Sequence, residues 1–456
     1  MTAAHPTTAA RLDRLPVTRL HRYLIAVVGV ATFFDLYDLF LASTVSTVLA
    51  SEFGVSSAEL KPLLASAFLG AFVGAVALGR LADRIGRRRA FLLTLGLYSV
   101  FTLLGAVSVN VWMLVACRFV AGIGIGAELP LADAYLADLL PAHSRGRATA
   151  WAYTVGFCGV PAAGFLARGL AGSAPLGVDG WRWLFVVGAL GSAIVWVLRA
   201  GLPESPRWLL TQGRIEEADQ VIRRLERSAK EPLPAPEEDV PEEGGAPTAD
   251  PRPVRFTALL TRPWRRRAAM LHLFQLLQAF GYYGFGSLVP IVLTAKGFDL
   301  SHSLTFSALT FLGYPIGSAL SIPIMERMQR KWLIVGSALG MAVFGLAFGY
   351  STTGTAIAVL GFCYTAISNV FSNAFHTYQA ELFPTSLRAT AAGSAYSLSR
   401  LATAAMPFIL LPVLQAQGAT GMFIVVAVAM AILILDVAVL GPATTGRSVE
   451  VISTRS

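Results

Sequence analysis

Several ionisable residues stand inside long apolar stretches of this chain, and five of them carry the argument. Asp35 and Asp38 lie in the apolar run 22–49, Arg118 and Glu128 in the run 112–139, and Arg400 in the run 388–416. A charged side chain at the centre of a bilayer costs about 2.5–3.5 kcal/mol on insertion scales, so each is a functional candidate. Asp35 and Asp38 are three apart and share one helix face. By helical rise, Arg118 lies about 9 Å below the outer end of its run and Asp38 about 16 Å below the outer end of its own. A guanidinium bridges that difference in depth, so an Asp38–Arg118 ion pair is expected. Burial favours the protonated acid and a neighbouring Arg the ionised one. An acid balanced between the two loads and releases a proton as its partner moves. Asp38 with Arg118 is the first candidate for proton coupling, and Asp35 the alternative carrier. The plainer alternative is a salt bridge that only fixes packing. Glu128, deeper in the run, belongs to the same proton-coupling group or serves as a helix contact.

Arg400 poses a different question. It lies about 18 Å into its run, on a stripe with Gly393, Tyr396, Thr403 and Pro407. A buried guanidinium needs an anion. No acid in its half lies at matching depth, because Asp436 and Glu381 fall near the inner end. A substrate carboxylate or phosphate, held bidentately, fits the vacancy. Pairing with the first run or with a backbone carbonyl is the alternative. Thr365, Asn369, Asn373 and His376 form a polar stripe in the run 353–380, and the run 268–295 offers Gln275, Gln278, Tyr282 and Tyr283. Such stripes bind substrate or act as interhelical glue. The substrate candidates are Arg400, Gln278, Tyr282, Asn369, Asn373 and Tyr396. His376 titrates near neutral pH when unperturbed, but it falls nearer the inner end.

The elements that position these residues follow from composition. Of 456 residues, 55% are hydrophobic and only 14% charged, and the mean hydropathy is +0.62. Soluble domains carry about 25% charged residues, so a soluble protein, a disordered chain and a disulfide scaffold are excluded. Apolar runs predict twelve spans, near 22–49, 61–82, 89–109, 112–139, 147–170, 181–200, 268–295, 303–325, 332–351, 353–380, 388–416 and 419–440. Each is long enough for a hydrocarbon core of about 30 Å. The net charge of +9 reflects loop charges and not nucleic-acid binding. With the amino terminus inside, 30 of the 36 Lys and Arg residues fall on the cytoplasmic side, which orients both termini to the cytoplasm.

The chain divides into a cytoplasmic tail (1–21), a six-span bundle (22–200), a cytoplasmic loop (201–267), a second six-span bundle (268–440) and a cytoplasmic tail (441–456). Within the loop, residues 206–227 read as short amphipathic helices, and 231–253, rich in Pro, Glu and Gly, as a linker. The halves repeat. Asp83 and Glu326, Asp138 and Glu381, and Arg145 and Arg388 are each offset by 243 residues. The fold class is therefore an all-α membrane protein with twelve transmembrane helices in two pseudo-symmetric six-helix bundles. Transporters of this plan place their site between the halves. The charges at the inner ends, Asp83, Arg84, Arg87, Asp138, Arg145, Glu204, Arg207, Glu326, Arg330, Glu381 and Arg388, gather where the halves meet. Ion pairs across that seam would gate a rocking motion; the alternative role is orientation alone.

At these residues the chain resembles the major facilitator superfamily. The resemblance rests on Gly79-Arg80-Leu81-Ala82-Asp83-Arg84-Ile85-Gly86-Arg87-Arg88, on Arg145-Gly146-Arg147 and on Pro203-Glu204-Ser205-Pro206-Arg207 after span 6, which is similar to the sugar-porter signature. Arg118-Phe119, Ala127-Glu128-Leu129-Pro130 and Glu381-Leu382-Phe383-Pro384-Thr385 resemble the niacin-type and organic-ion branch. Asp35-Leu36-Tyr37-Asp38 is similar to the first span of phosphate:proton symporters. The resemblance implies an Asp–Arg proton site at Asp38 and Arg118. It also implies that the span 11 charge, Arg400, helps separate anionic from cationic substrates. The paired glutamines and the asparagine of sugar porters have no match around Gln275 and Gln278.

No phosphate-binding loop and no metal-spaced His or Cys cluster occurs, so no cofactor, metal or ATP drive is expected. Gly122-Ile123-Gly124-Ile125-Gly126 lies inside a span and reads as close helix packing. Cys117, Cys158 and Cys363 read as small apolar residues. The sequence thus points to a transporter and not an enzyme. It would be a monomer in the bacterial inner membrane, symporting protons with a small organic anion such as nicotinate. Phosphate or sugar symport, drug efflux and a non-transporting receptor are the other readings.

Overall fold

The computed structural model describes residues 11–229 and 256–444 apart from 13, 263 and 384. The side chains of a few further helical residues, Asp83, Arg145, Glu326 and Arg388 among them, and the whole of the linker 231–253 lie outside the described residues.

The apolar runs fold as helices because a backbone in hydrocarbon must satisfy its own hydrogen bonds. Spans 1 to 4 are Arg19–Thr44, Ser57–Ile85, Arg87–Ala106 and Val111–Leu139. Span 5 is broken into Ala142–Phe157 and Gly159–Leu170, and span 6 is Gly180–Ala200. In the second half, span 7 comprises Arg265–Gln278 and Gly284–Ala295, joined by a π-helical turn at Ala279–Tyr283. Span 8 is Leu300–Phe311 with Gly313–Arg327, span 9 Arg330–Tyr350 and span 10 Gly354–Glu381. Spans 11 and 12 share one helical segment, Thr385–Leu440, which folds back at Gly418 with φ 69° and ψ −172°. Only glycine adopts that conformation without strain. Polar side chains start the helices where the chain enters them: Asn110 Oδ1 accepts from the Met113 N–H at 2.8 Å, and Asp299 Oδ1 from the His302 N–H at 2.8 Å.

Two departures from the apolar runs have local causes. Span 1 stops at Thr44 and a separate short helix, Ser46–Glu52, continues the run. Span 2 extends past its apolar stretch as a charged helical end. Between spans 6 and 7, Pro206–Thr211 and Ile215–Arg227 are helical, in agreement with the amphipathic pattern there.

Within the first half, spans 2 and 4 cross at backbone distance. A Cβ on Gly122 or Gly126 would strike the carbonyl oxygen of Ala67 or Ala71, and one on Gly70 or Gly74 the carbonyl oxygen of Phe119 or Ile123. Small residues four apart on both helices permit this approach. Between halves, span 5 packs against span 8, and span 2 against span 11. Thr154 and Ser318 hydroxyls meet at 3.1 Å, and Phe157 stacks on Tyr314 at 6.2 Å.

Candidate functional site

A small cavity of about 20 Å³ lies among spans 7, 10 and 11. Span 7 contributes Gln275, Gln278, Tyr282 and Tyr283, span 10 contributes Ser372, Phe375 and His376, and span 11 contributes Tyr396 and Ser399. The π turn sets the span 7 wall. The Gly281 carbonyl within it accepts from Tyr364 Oη at 2.8 Å, and the turn presents the adjacent Tyr282 and Tyr283 to the cavity. Gln278 donates to Ser399 Oγ at 2.6 Å and to Gln275 Oε1 at 3.1 Å.

Arg400, only 2% exposed, does not line the cavity but lies against two residues that do, Tyr283 and Tyr396. Its Nη2 donates to the Tyr396 hydroxyl, and its guanidinium sits over the rings of Tyr396 (4.5 Å) and Tyr283 (4.9 Å). Nε and Nη1 are buried without a hydrogen-bond partner. Among the described residues no carboxylate forms an ion pair with it. Two tyrosine rings thus hold a cation with two donors unused, beside a small opening.

Asn369 and Asn373 are placed differently. Asn369 accepts from Tyr282 Oη at 2.9 Å and donates to the span 8 carbonyl of Tyr314, while Asn373 donates to Ser321 Oγ at 2.7 Å. Their amides tie span 10 to span 8, and neither lines the cavity. A polar stripe has the same sequence pattern whether it faces a cavity or a neighbouring helix.

The first half contributes a second group of charges. Arg118 Nη1 donates to Asp38 Oδ2 at 2.5 Å and Nη2 to the Asp38 carbonyl at 2.7 Å. Thr102 Oγ1 donates to Asp38 Oδ1 at 3.1 Å. Asp35, one turn away, is 1% exposed and has no donor on either carboxyl oxygen. Glu128 is buried too. Its Oε1 meets Arg199 Nη1 and its Oε2 accepts from Thr94 at 2.7 Å.

Arg199 is the residue that sequence reasoning missed. Counted with the basic loop after span 6, it is instead 1% exposed and turned into the bundle, over the Phe91 ring at 4.0 Å. Asp133 was missed as well. It is solvent-exposed, and its Oδ1 accepts from Tyr153 Oη at 2.7 Å. The Tyr153 ring lies against the cavity-lining His376.

At the end that bears the chain termini, the described charges pair within halves. Glu204 accepts from the backbone N–H groups of Arg87 and Arg88, Asp138 accepts from Ser205 at 2.7 Å, and Arg330 meets Glu381 at 3.2 Å. Arg87 Nε lies 4.0 Å from Asp138. Arg84 is exposed and Arg207 half-buried. The expected pairs across the seam are not among these contacts; Asp83, Arg145, Glu326 and Arg388 lie outside the described side chains.

Comparison with known proteins accords with this architecture. Residues 22–455 match the family described as sugar (and other) transporter. The chain is 34% identical over 407 residues to the putative metabolite transport protein YyaJ of Bacillus subtilis, covering 87% of each. It is 30% identical to the niacin transporter NiaP of Acinetobacter baylyi, across 97% of this chain and 98% of that one. It is 29% identical to the gentisate transporter of Corynebacterium glutamicum, across 82% and 77%. A structure of the xylose transporter XylE from E. coli superposes with a TM-score of 0.74 at 21% identity, across 94% and 99% of the two chains. With its helical bundles and apolar spans, the chain is a multi-pass membrane transporter that belongs to the sugar (and other) transporter family of the major facilitator superfamily.

Proposed function

We propose that this transporter imports a small organic anion, an aromatic carboxylate above all, together with protons. It works by alternating access in a bacterial inner membrane, with both termini cytoplasmic. The observation that carries this reading is Arg400: a buried guanidinium against the cavity-lining rings of Tyr283 and Tyr396, with two unpartnered N–H donors. A carboxylate accepts from those donors, and a flat ring stacks on Tyr283 and Tyr396. Gln278 and Tyr282 supply the neighbouring polar contacts, with Asn369 fixing the Tyr282 hydroxyl from behind. Two relatives bear the names of aromatic acids, niacin and gentisate. The proton resides on the Asp35–Asp38 face, beside the Arg118 that binds ionised Asp38. The charges at the terminal ends bias the rocking of the halves.

The test uses proteoliposomes and labelled nicotinate and gentisate. An acidic exterior drives accumulation of at least one of them. Asp38→Asn retains exchange but loses accumulation. Uphill uptake by the unmodified protein with neither a pH gradient nor a potential would end the coupling scheme.

A further inference from the structure

Among the described residues, the interior of the N-terminal half holds five charged side chains: Asp35 and Asp38 on span 1, Arg118 and Glu128 on span 4, and Arg199 on span 6, none more than 2% exposed. Three acids face two guanidiniums. Fully ionised, the cluster carries one surplus negative charge, and a single proton makes it neutral. An interior of low polarity penalises that surplus heavily.

The hydrogen bonds identify the surplus acid. Asp38 uses one carboxyl oxygen for Arg118 and the other for Thr102. Glu128 uses one for Arg199 and the other for Thr94. Asp35 has a donor on neither. Arg199 is half used in the same way: Nη1 meets Glu128, while Nε and Nη2 are buried without partners. The groups that act on Asp35 are Arg199 from span 6, Asp38 from its own helix and Tyr98 from span 3. Tyr98 is held in turn by Ser192 of span 6. Arg118 is committed to Asp38 through two nitrogens.

We infer that Arg199 is the switching cation of a one-proton cluster. It holds Glu128 while Asp35 carries the proton, and it turns its unpartnered nitrogens to Asp35 when that proton leaves. The proton passes from an Asp35 carboxyl oxygen to water, and the carboxylate left behind accepts N–H from Arg199. Loaded, span 6 is tied by charge to span 4 alone; unloaded, it is tied to spans 1 and 4 together. Arg199 is a positioning residue that links proton loss to helix packing. The inference deepens the proton-coupling reading above and rests on it.

The test is infrared difference spectroscopy of the whole protein in lipid across the neutral pH range, with no substrate present. It reads the carbonyl band of a protonated buried carboxyl. Asp436 on span 12 is another buried carboxyl without a donor, so every protein compared carries Asp436→Asn; that background shows one such band, and Asp35→Asn removes it. Glu128→Gln leaves two acids with two guanidiniums, so Arg199 pairs with ionised Asp35 and the band is lost. Glu128→Gln with Arg199→Gln restores the band, because Asp35 is surplus again. Survival of the band in Glu128→Gln would show Arg199 to be only the structural partner of Glu128 and overturn the inference. So would a band absent from the Asp436→Asn background or retained in Asp35→Asn, a comparison that does not depend on how the Glu128 variants fold. Transport is not read here: the cluster stands or falls by its band even if liposomes fail to accumulate an anion.

Discussion

The ring of Tyr153 on span 5 lies parallel to the imidazole of His376 on span 10, with centroids 6.3 Å apart and an interplanar angle of 16°. The two residues belong to opposite halves, so the contact must change whenever the halves rock. A Tyr153→Cys/His376→Cys pair in a background without Cys117, Cys158 and Cys363 is expected to cross-link under mild oxidation. The cross-link should cut flux at least about tenfold, equivalent to about 1.4 kcal/mol of barrier, and a reductant should restore it. Full flux in the cross-linked protein would show that this seam does not move.

Arg400 tests the cargo. Arg400→Ala removes the donors and leaves Tyr283 and Tyr396 to collapse on each other. Truncating one member of a buried charged contact costs about 2–5 kcal/mol, so nicotinate or gentisate binding should fall by roughly 30-fold or more. Arg400→Lys should not rescue it, since an ammonium lacks the planar fork that meets a carboxylate and stacks on rings. Isothermal titration decides, and retained affinity in Arg400→Ala would remove the guanidinium from the site.

Asp133 tests the field of the cavity. Bonded to Tyr153, it brings a negative charge from the first half towards the ring-lined wall. Two like charges roughly 10 Å apart at an effective dielectric of about 20 repel by about 1–2 kcal/mol. Asp133→Asn should therefore tighten anion binding by roughly tenfold at neutral pH, and by less in acid, where Asp133 is already neutral. Weaker binding at every pH would argue that the carboxylate serves only to hold Tyr153.

Outside the membrane, Arg11 bonds to Glu226 at 2.7 Å and to Asp219 at 2.6 Å, and Arg14 adds a second contact to Glu226 at 2.6 Å. Burial pushes the Glu226 carboxyl up, but the hydrogen bonds from Arg11 and Arg14 outweigh it and hold the group below its usual range. Hydrogen bonding from Arg11 holds Asp219 down as well. Groups depressed in the folded state stabilise above their unfolded values and lose that contribution as pH falls through the folded ones. Arg11→Ala should thus cost about 1 kcal/mol at neutral pH and lower the apparent melting temperature by about 1–3 °C. The difference from the unmodified protein should vanish in acid. A difference that persists in acid would assign the effect to packing.

Much of this architecture was legible in the chain. Apolar runs and a repeat at fixed offset indicate twelve helices in two halves, and helical rise places Asp38 and Arg118 within reach. Arg199 escaped because it borders a run of loop charges, where a cation normally faces water; its signal was Glu128, an acid in a neighbouring span with no partner at its depth. Asp133 is five residues past Glu128, about 140° around the helix, so one acid turns into the bundle and the other away. Linear spacing shows such divergence but not which face meets a cavity. Asn369 and Asn373 show the converse, polar residues whose partner is another helix.

The described walls of the cavity all come from the C-terminal half, whereas the five-charge cluster is built wholly in the N-terminal half. On the proposed function, passenger and fuel therefore occupy separate chassis, joined mechanically. Redesign of spans 7, 10 and 11 for a new passenger leaves the engine untouched, so one drive can serve many cargoes through exchange of a single half.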